Sequence, residues 1–142
     1  MVFKINVSDK GKTAKFETDN EDLIDKAIGE KISGADISKD LEGYELEITG
    51  TSDKAGFPGI KTFKGPQLRR ILLTYGPGMH HKPKGLKKKK PRSNPGLRLR
   101  KTIRGDTISA DTVQINTRVI KEGAKKFAEI LPKKEEAAPA AN

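Results

Sequence analysis

Val113-Gln114-Ile115-Asn116-Thr117-Arg118-Val119 places Val113, Ile115, Thr117 and Val119 on one side of an extended chain and Gln114, Asn116 and Arg118 on the other. That period of two marks a strand with one buried face, because successive side chains leave a strand in opposite directions. Working outward, the same alternation appears in Tyr44-Glu45-Leu46-Glu47-Ile48-Thr49 and in Phe3-Lys4-Ile5-Asn6-Val7. It resumes at Ala14 and Phe16 after the turn residues Asp9-Lys10-Gly11-Lys12. The expectation is a mainly β fold that opens on a hairpin. The partner of the 44–49 strand is not evident from sequence. Helix is limited to short pieces: 20–28, capped by Asp19 or Asn20, with Leu23, Ile24, Ala27 and Ile28 on one face before Gly29, and Ala124 to Leu131 before Pro132. Ser33-Gly34-Ala35-Asp36 reads as loop.

The chain has 142 residues, of which 33% are hydrophobic and 5% aromatic, so one modest core of Ile, Leu, Val and Phe is expected. The expected organisation is a single β-rich domain over 1–131 and a disordered Lys, Glu, Ala and Pro tail over 132–142. With no cysteine, disulfides and thiolate metal sites are excluded. No apolar run approaches the roughly 20 residues that span a bilayer, and Met1-Val2-Phe3-Lys4-Ile5 lacks the apolar stretch of a signal peptide. A cytoplasmic protein without membrane association is the expectation.

Charge is segregated along the chain. From Lys54 to Gly105 there are 16 Lys or Arg residues and no acid, whereas the other 13 basic residues share the rest of the chain with all 19 acidic ones. A stretch so basic repels itself unless an anion lies against it, and a nucleic-acid backbone is the regular polyanion of the cell. Gly and Pro punctuate this segment (Gly56-Phe57-Pro58-Gly59, Gly65-Pro66, Gly76-Pro77-Gly78, Pro83, Gly85, Pro91, Pro95-Gly96), which excludes a long helix. Only Leu68-Arg69-Arg70-Ile71-Leu72-Leu73 reads as a strand or short helix with a buried face, and 76–97 reads as an extended basic arm. An arm that turns sharply suits an irregular RNA surface better than a regular DNA groove.

Candidate RNA-binding residues follow from that reading: Lys54, Lys61, Lys64, Arg69 and Arg70; then His80, His81, Lys82 and Lys84; then Lys87, Lys88, Lys89, Lys90 and Arg92; and finally Arg98, Arg100, Lys101 and Arg104. An isolated Lys87-Lys88-Lys89-Lys90 run would be an ordinary solvated stretch, but here its basic neighbours have no local carboxylate for pairing. Arg69, Arg70, Arg98, Arg100 and Arg104 rank as positioning residues, since a guanidinium fork clamps phosphate bidentately while a lysine acts as a point charge, the alternative being that one or two of them lie along the core and cover it with their stems. Leu97-Arg98-Leu99-Arg100 alternates, with leucines on one face and guanidiniums on the other. Phe57, Phe63 and Tyr75 are the stacking candidates of the acid-free segment.

Gly50-Thr51-Ser52-Asp53-Lys54-Ala55-Gly56-Phe57-Pro58-Gly59 joins the acidic strand to the basic segment. Asp53 or Ser52 can accept backbone N–H groups, Gly56 suits positive φ and Pro58 pre-sets the next turn. Gly50, Asp53, Gly56, Phe57 and Pro58 therefore form a turn motif, with an anion nest beside Lys54 as its functional alternative. His80-His81 makes a poor metal or acid–base site, because adjacent strand residues point apart and no third ligand or orienting carboxylate is near. No phosphate-loop or nucleophile-elbow sequence is present. Neither catalysis, a metal, a cofactor nor a small-molecule substrate is expected.

Ile48 to Gly59 resembles the signature of the small-subunit ribosomal protein family S-six-e of archaea and eukaryotes, which runs aliphatic, small, Gly, Gly, any, Asp, any two, Gly, any, Pro, Met. Thr51 and Gly59 depart from it. Arg69-Arg70-Ile71-Leu72-Leu73, Gly76-Pro77-Gly78, Lys82-Pro83-Lys84-Gly85, Lys101-Thr102-Ile103-Arg104-Gly105 and Thr107-Ile108-Ser109 to Gln114-Ile115-Asn116 look like successive family blocks. The resemblance covers nearly the whole chain. It implies a small antiparallel β-barrel with one or two short helices and an extended basic loop, docked on small-subunit ribosomal RNA beside neighbouring ribosomal proteins. The chain resembles the shorter archaeal form, without the basic phosphorylated helix of eukaryotic members. A free RNA chaperone or regulator using the same arm is the alternative.

Overall fold

The alternation of Phe3 to Val7 becomes strand β1 (Phe3–Asp9), which turns through Lys10 and Gly11 into β2 (Lys12–Thr18) in a computed structural model that describes residues 1–80 and 96–131. Lys10 and Gly11 both take positive φ, at 43° and 82°. This is the twist that a two-residue hairpin requires. Residues 81–95 of the expected arm and the expected tail 132–142 lie outside the described residues.

The other strands are β3 (Lys31–Ser33), β4 (Glu45–Asp53), β5 (Leu68–Thr74), β6 (Arg98–Arg104) and β7 (Thr112–Lys121), with one helical turn α1 (Phe127–Ile130). Five strands form a sheet in the order β2-β1-β7-β4-β3, and β5 and β6 form a separate antiparallel ribbon. The 44–49 strand thus lies between β7 and β3, both antiparallel to it. The mainly β expectation holds, while the described residues form an open sheet and no closed barrel: among them no ladder joins β2 to β3, and β1 runs parallel to β7 with Ile5 opposite Ile115. β7 becomes the central strand between the first strand and β4.

One face of the sheet carries the core: Ile5 and Val7 from β1, Ala14 from β2, Leu46 and Ile48 from β4, and Ile115 from β7. Burying each aliphatic side chain of this size contributes about 1.5–3 kcal/mol relative to exposure. The other face is polar and tied across strands, for Asn6 Nδ2 and Gln114 Nε2 both donate to Asn116 Oδ1, at 3.0 and 2.9 Å. Tyr44 is buried by the core, and its hydroxyl donates to the Lys125 carbonyl, fixing the chain before α1. Burial pushes the Tyr44 phenol up, helped by the charges of Glu122, Asp9 and Glu129.

The expected helix over 20–28 shortens to a 3-10 turn, Glu21–Leu23, capped by Asn20, whose side chain accepts from the Asp22 N–H. Asp25 takes φ 67°, and the following backbone pairs with another segment: Asp25 N–H donates to Ile108 O, Ile28 N–H to Asp106 O, and Ile108 N–H to Lys26 O. A helical ladder would need those same groups. The region read as loop after Gly29 instead holds the short edge strand β3 and two further 3-10 turns, Gly34–Asp36 and Lys39–Leu41. The expected C-terminal helix shrinks to α1, which buries Phe127.

Candidate nucleic-acid interface

The basic segment leaves the sheet after Asp53, at the end of β4, and returns to it at Thr112, the register partner of Asp53 on β7. Asp53 holds both ends of this excursion together. Its Oδ1 accepts the Phe57 N–H at 2.8 Å and its Oδ2 accepts Arg104 Nε at 3.1 Å. Arg104 Nη1 donates to Pro66 O at 2.8 Å, and Nη2 lies 3.6 Å from Asp111 Oδ2. Asp111 also receives Lys54 Nζ at 2.9 Å. The hydrogen bond and charge of Lys54 hold the Asp111 carboxyl below its ordinary 3.8, with Arg104 adding to them against a desolvation effect.

This network corrects two assignments. Arg104 was expected to position phosphate, yet its side chain is 11% exposed and committed to Asp53 and Pro66, so it holds the fold. The anion nest beside Lys54 is filled by the protein itself: Gly56 N–H donates to Asp53 O, Phe57 N–H donates to the Asp53 carboxylate, and Lys54 is paired with Asp111. The turn motif is otherwise as read, with Gly56 at φ 89°, except that Gly50 through Asp53 belongs to β4 and the reversal begins only at Lys54.

Residues Phe57 to Ile60 form a seam between the sheet and the ribbon. On one side Asp53 N–H donates to Phe57 O and Gly59 N–H to Thr51 O; on the other Ile60 N–H donates to Arg104 O and Arg104 N–H to Pro58 O. A Cβ at Gly59 would overlap Thr51 Oγ1. The two departures from the signature, Thr51 in place of Gly and Gly59 in place of Met, therefore face each other, and the small residue has changed sides.

Register gives the ribbon two faces. Arg70 lies opposite Thr102, Leu72 opposite Arg100 and Thr74 opposite Arg98, so Arg70, Arg98 and Arg100 share one face with Leu68 and Leu72. Leu68 and Leu72 are 47% and 53% exposed, which corrects the expectation of a buried face on their side of 68–73. The other face sets Arg69 opposite Ile103, Ile71 opposite Lys101 and Leu73 opposite Leu99. The alternation read at 97–100 is borne out, with the guanidiniums of Arg98 and Arg100 opposite in direction to Leu99.

Among the described residues, Lys61, Lys64, Arg69, Arg70, Arg98, Arg100 and Lys101 form no ion pair with a carboxylate. His80 is exposed, with its ring edge-on to Tyr75 at 5.5 Å. His81, Lys82, Lys84, Lys87, Lys88, Lys89, Lys90 and Arg92 lie outside the described residues. The start of the expected arm is folded: Gly76 and Met79 exchange both backbone hydrogen bonds at 3.0 Å, and Met79 is fully buried. No group of three metal-ligating side chains occurs among the described residues.

Sequence reading missed three things here: the carboxylate partners of Arg104 and Lys54, the burial of Met79, and the meeting of Phe63 with Tyr75 across one groove. The first had a signal, since Asp53 directly precedes the basic segment and Asp111 lies six residues beyond its end. The others are long-range placements with no local pattern.

Residues 1–132 match the family model for ribosomal protein S6e. A small ribosomal subunit protein eS6 of Methanothermobacter thermautotrophicus is 45% identical over 139 residues, covering 96% of this chain and all of that protein. Proteins of the same name from Methanococcus maripaludis strain C5 and Methanocaldococcus jannaschii are 45% and 40% identical, over 87% and 85% of this chain and 91% and 82% of theirs. With its sheet, seam and ribbon carried by residues inside that match, the chain belongs to the ribosomal protein S6e family.

Proposed function

We propose that this protein is a structural constituent of the small ribosomal subunit, not an enzyme, and that it binds ribosomal RNA mainly through phosphate contacts from the ribbon and the basic arm. The identity of its relatives as small ribosomal subunit proteins supports the assembly. The observation that carries the RNA contact is the ribbon face on which Arg70, Arg98 and Arg100 stand together without carboxylate partners among the described residues, while Arg118 on β7, Lys10 in the β1–β2 turn and Lys125 after β7 are each paired within 2.8 Å. Unpaired guanidiniums at alternate strand positions, roughly 6.7 Å apart along the chain, offer bidentate donors to successive phosphates. Lys61, Lys64, Arg69 and Lys101 extend the positive surface, and Lys82 to Arg92 supply further cations. Residues 1–131 act as one RNA-binding unit in the cytoplasmic ribosome, with neighbouring ribosomal proteins as further partners.

Counterion release makes such binding salt dependent, with a slope near about −0.7 per phosphate on single strands and about −0.9 on duplex. Replacing Arg70, Arg98 and Arg100 together by Gln is expected to weaken binding to a small-subunit rRNA fragment and to reduce the salt slope by up to about three contacts' worth. Association whose affinity does not fall with salt, or an unchanged slope in the triple variant, overturns the reading. The chaperone alternative separates by stoichiometry: a subunit constituent remains with the small subunit through a salt gradient in near-equal amount.

A further inference from the structure

Beyond the phosphate contacts, the ribbon's second face builds a site of different chemistry. A groove of about 300 Å³ runs between the 60–63 loop and the end of β5, lined by Ile60, Phe63, Ile71, Leu73, Tyr75 and Pro77 among others, with no charged residue in its wall among the described residues. Phe63 and Tyr75 are half-buried, so each ring keeps part of its surface open. Both are held in place. Phe63 N–H donates to Ile60 O at 3.3 Å and its carbonyl accepts Asp106 N–H at 2.8 Å, while Tyr75 directly follows β5 and packs T-shaped against His80.

The surroundings identify the occupant. Arg69 and Lys101 stand on the same ribbon face as Ile71 and Leu73, and Lys61 and Lys64 bracket Phe63 in the chain. None of these four cations has a carboxylate partner among the described residues. Asp106, the acid bonded through its backbone to Phe63, turns its carboxylate to the Gly65 N–H and the Thr107 hydroxyl. An apolar, aromatic-edged slot on a ribbon face that also carries Arg69 and Lys101 fits a flat ring whose attached groups are anionic. We infer that this groove receives an unstacked nucleobase of the bound RNA, stacked against Phe63 or Tyr75, with the flanking phosphates taken by Lys64, Arg69 and Lys101. Unpaired bases in loops and bulges are the parts of RNA that can turn out into such a slot. The inference rests on the RNA-binding reading above.

The test uses the full chain bound to its small-subunit rRNA fragment, with Phe63→Leu and Tyr75→Leu keeping the groove apolar and Tyr75→Phe keeping the ring. Stacking of about 1–3 kcal/mol per base predicts a loss of roughly 5- to 150-fold in affinity for at least one Leu variant, an unchanged salt slope, and retained affinity in Tyr75→Phe. Ultraviolet cross-linking of the wild-type complex should attach a nucleotide to the peptide carrying Phe63 or Tyr75. Wild-type affinity in both Leu variants, or cross-links confined to other segments, overturns the inference while leaving salt-dependent binding intact. A wild-type chain that shows no salt-dependent RNA binding overturns the proposed function, and this site with it. A groove filled by a neighbouring protein's side chain in the assembled subunit overturns the nucleobase alone.

Discussion

The sheet and the ribbon are both β structure, but they satisfy their side chains in opposite ways. The sheet buries Ile5, Leu46, Ile48 and Ile115 on one face and pairs cations with carboxylates on its periphery, as in Lys10 with Glu122 and Arg118 with Glu47. The ribbon leaves Leu68 and Leu72 open, and its Arg70, Arg98 and Arg100 have no carboxylate partner among the described residues. A two-stranded ribbon alone is at best marginally stable in water, so this one depends on its anchorage through Asp53, Arg104 and the Phe57–Ile60 seam. The difference teaches that the sheet satisfies its own side chains, whereas the ribbon keeps its shape through its anchorage and leaves its leucines and guanidiniums open.

The anchorage offers the strongest way to break that comparison. Replacing Arg104 by Ala strands the buried Asp53 carboxylate, a change that costs about 3–5 kcal/mol, and it should lower the thermal midpoint. Amide exchange tells where: the Ile60 amide, which donates to Arg104 O, should lose protection well before Ile5 and Ile115 in the sheet. Simultaneous loss in both regions would show them to be one cooperative unit.

A smaller effect is expected at the exchanged pair in the seam. Gly59→Met alone overlaps Thr51 and should destabilise by about 1–3 kcal/mol, whereas combining it with Thr51→Gly, which restores the family pattern, should recover much of the loss. Denaturant midpoints of the two single variants and the double variant give the coupling directly. Additive effects would mean that the two positions do not compensate each other.

Smallest of all is the pH response of the tie between Lys54 and Asp111. The folded Asp111 pKa lies below its unfolded value, so its contribution is fully present above 3.8 and is lost as pH falls through the lower folded value. A carboxyl titration of Asp111 followed by NMR should therefore show a midpoint under 3.8, and Lys54→Ala should raise it. A midpoint at or above the ordinary value in the wild type would remove Lys54 from the closure of the ribbon.

Much of this was legible residue by residue. Alternation announced β1, β2, β4 and β7, because a half-buried sheet face imposes a period of two on any strand that forms it. The charge segregation announced a surplus of cations on the ribbon, since the 54–105 segment holds no carboxylate of its own and Asp53 and Asp111 reach only Lys54 and Arg104 among the described residues. The 20–28 segment misled for a physical reason: its spacing satisfies a helix, but its backbone groups gain more by pairing with 106–108 across the chain. Arg104 misled likewise, because local sequence shows its basic neighbours and conceals Asp53, 51 positions away.

The sequence by itself determined the β class, the extent of the basic segment, the Gly56 turn and the family, all of which rest on local periodicity, composition or ordered motifs. Only the tertiary structure decided that β1 lies parallel to β7 in an open sheet, that Arg104 turns inward while Arg70, Arg98 and Arg100 share an open face, and that Phe63 and Tyr75 meet across one groove. Those outcomes depend on which distant groups come to lie together and on what each must satisfy once water is excluded.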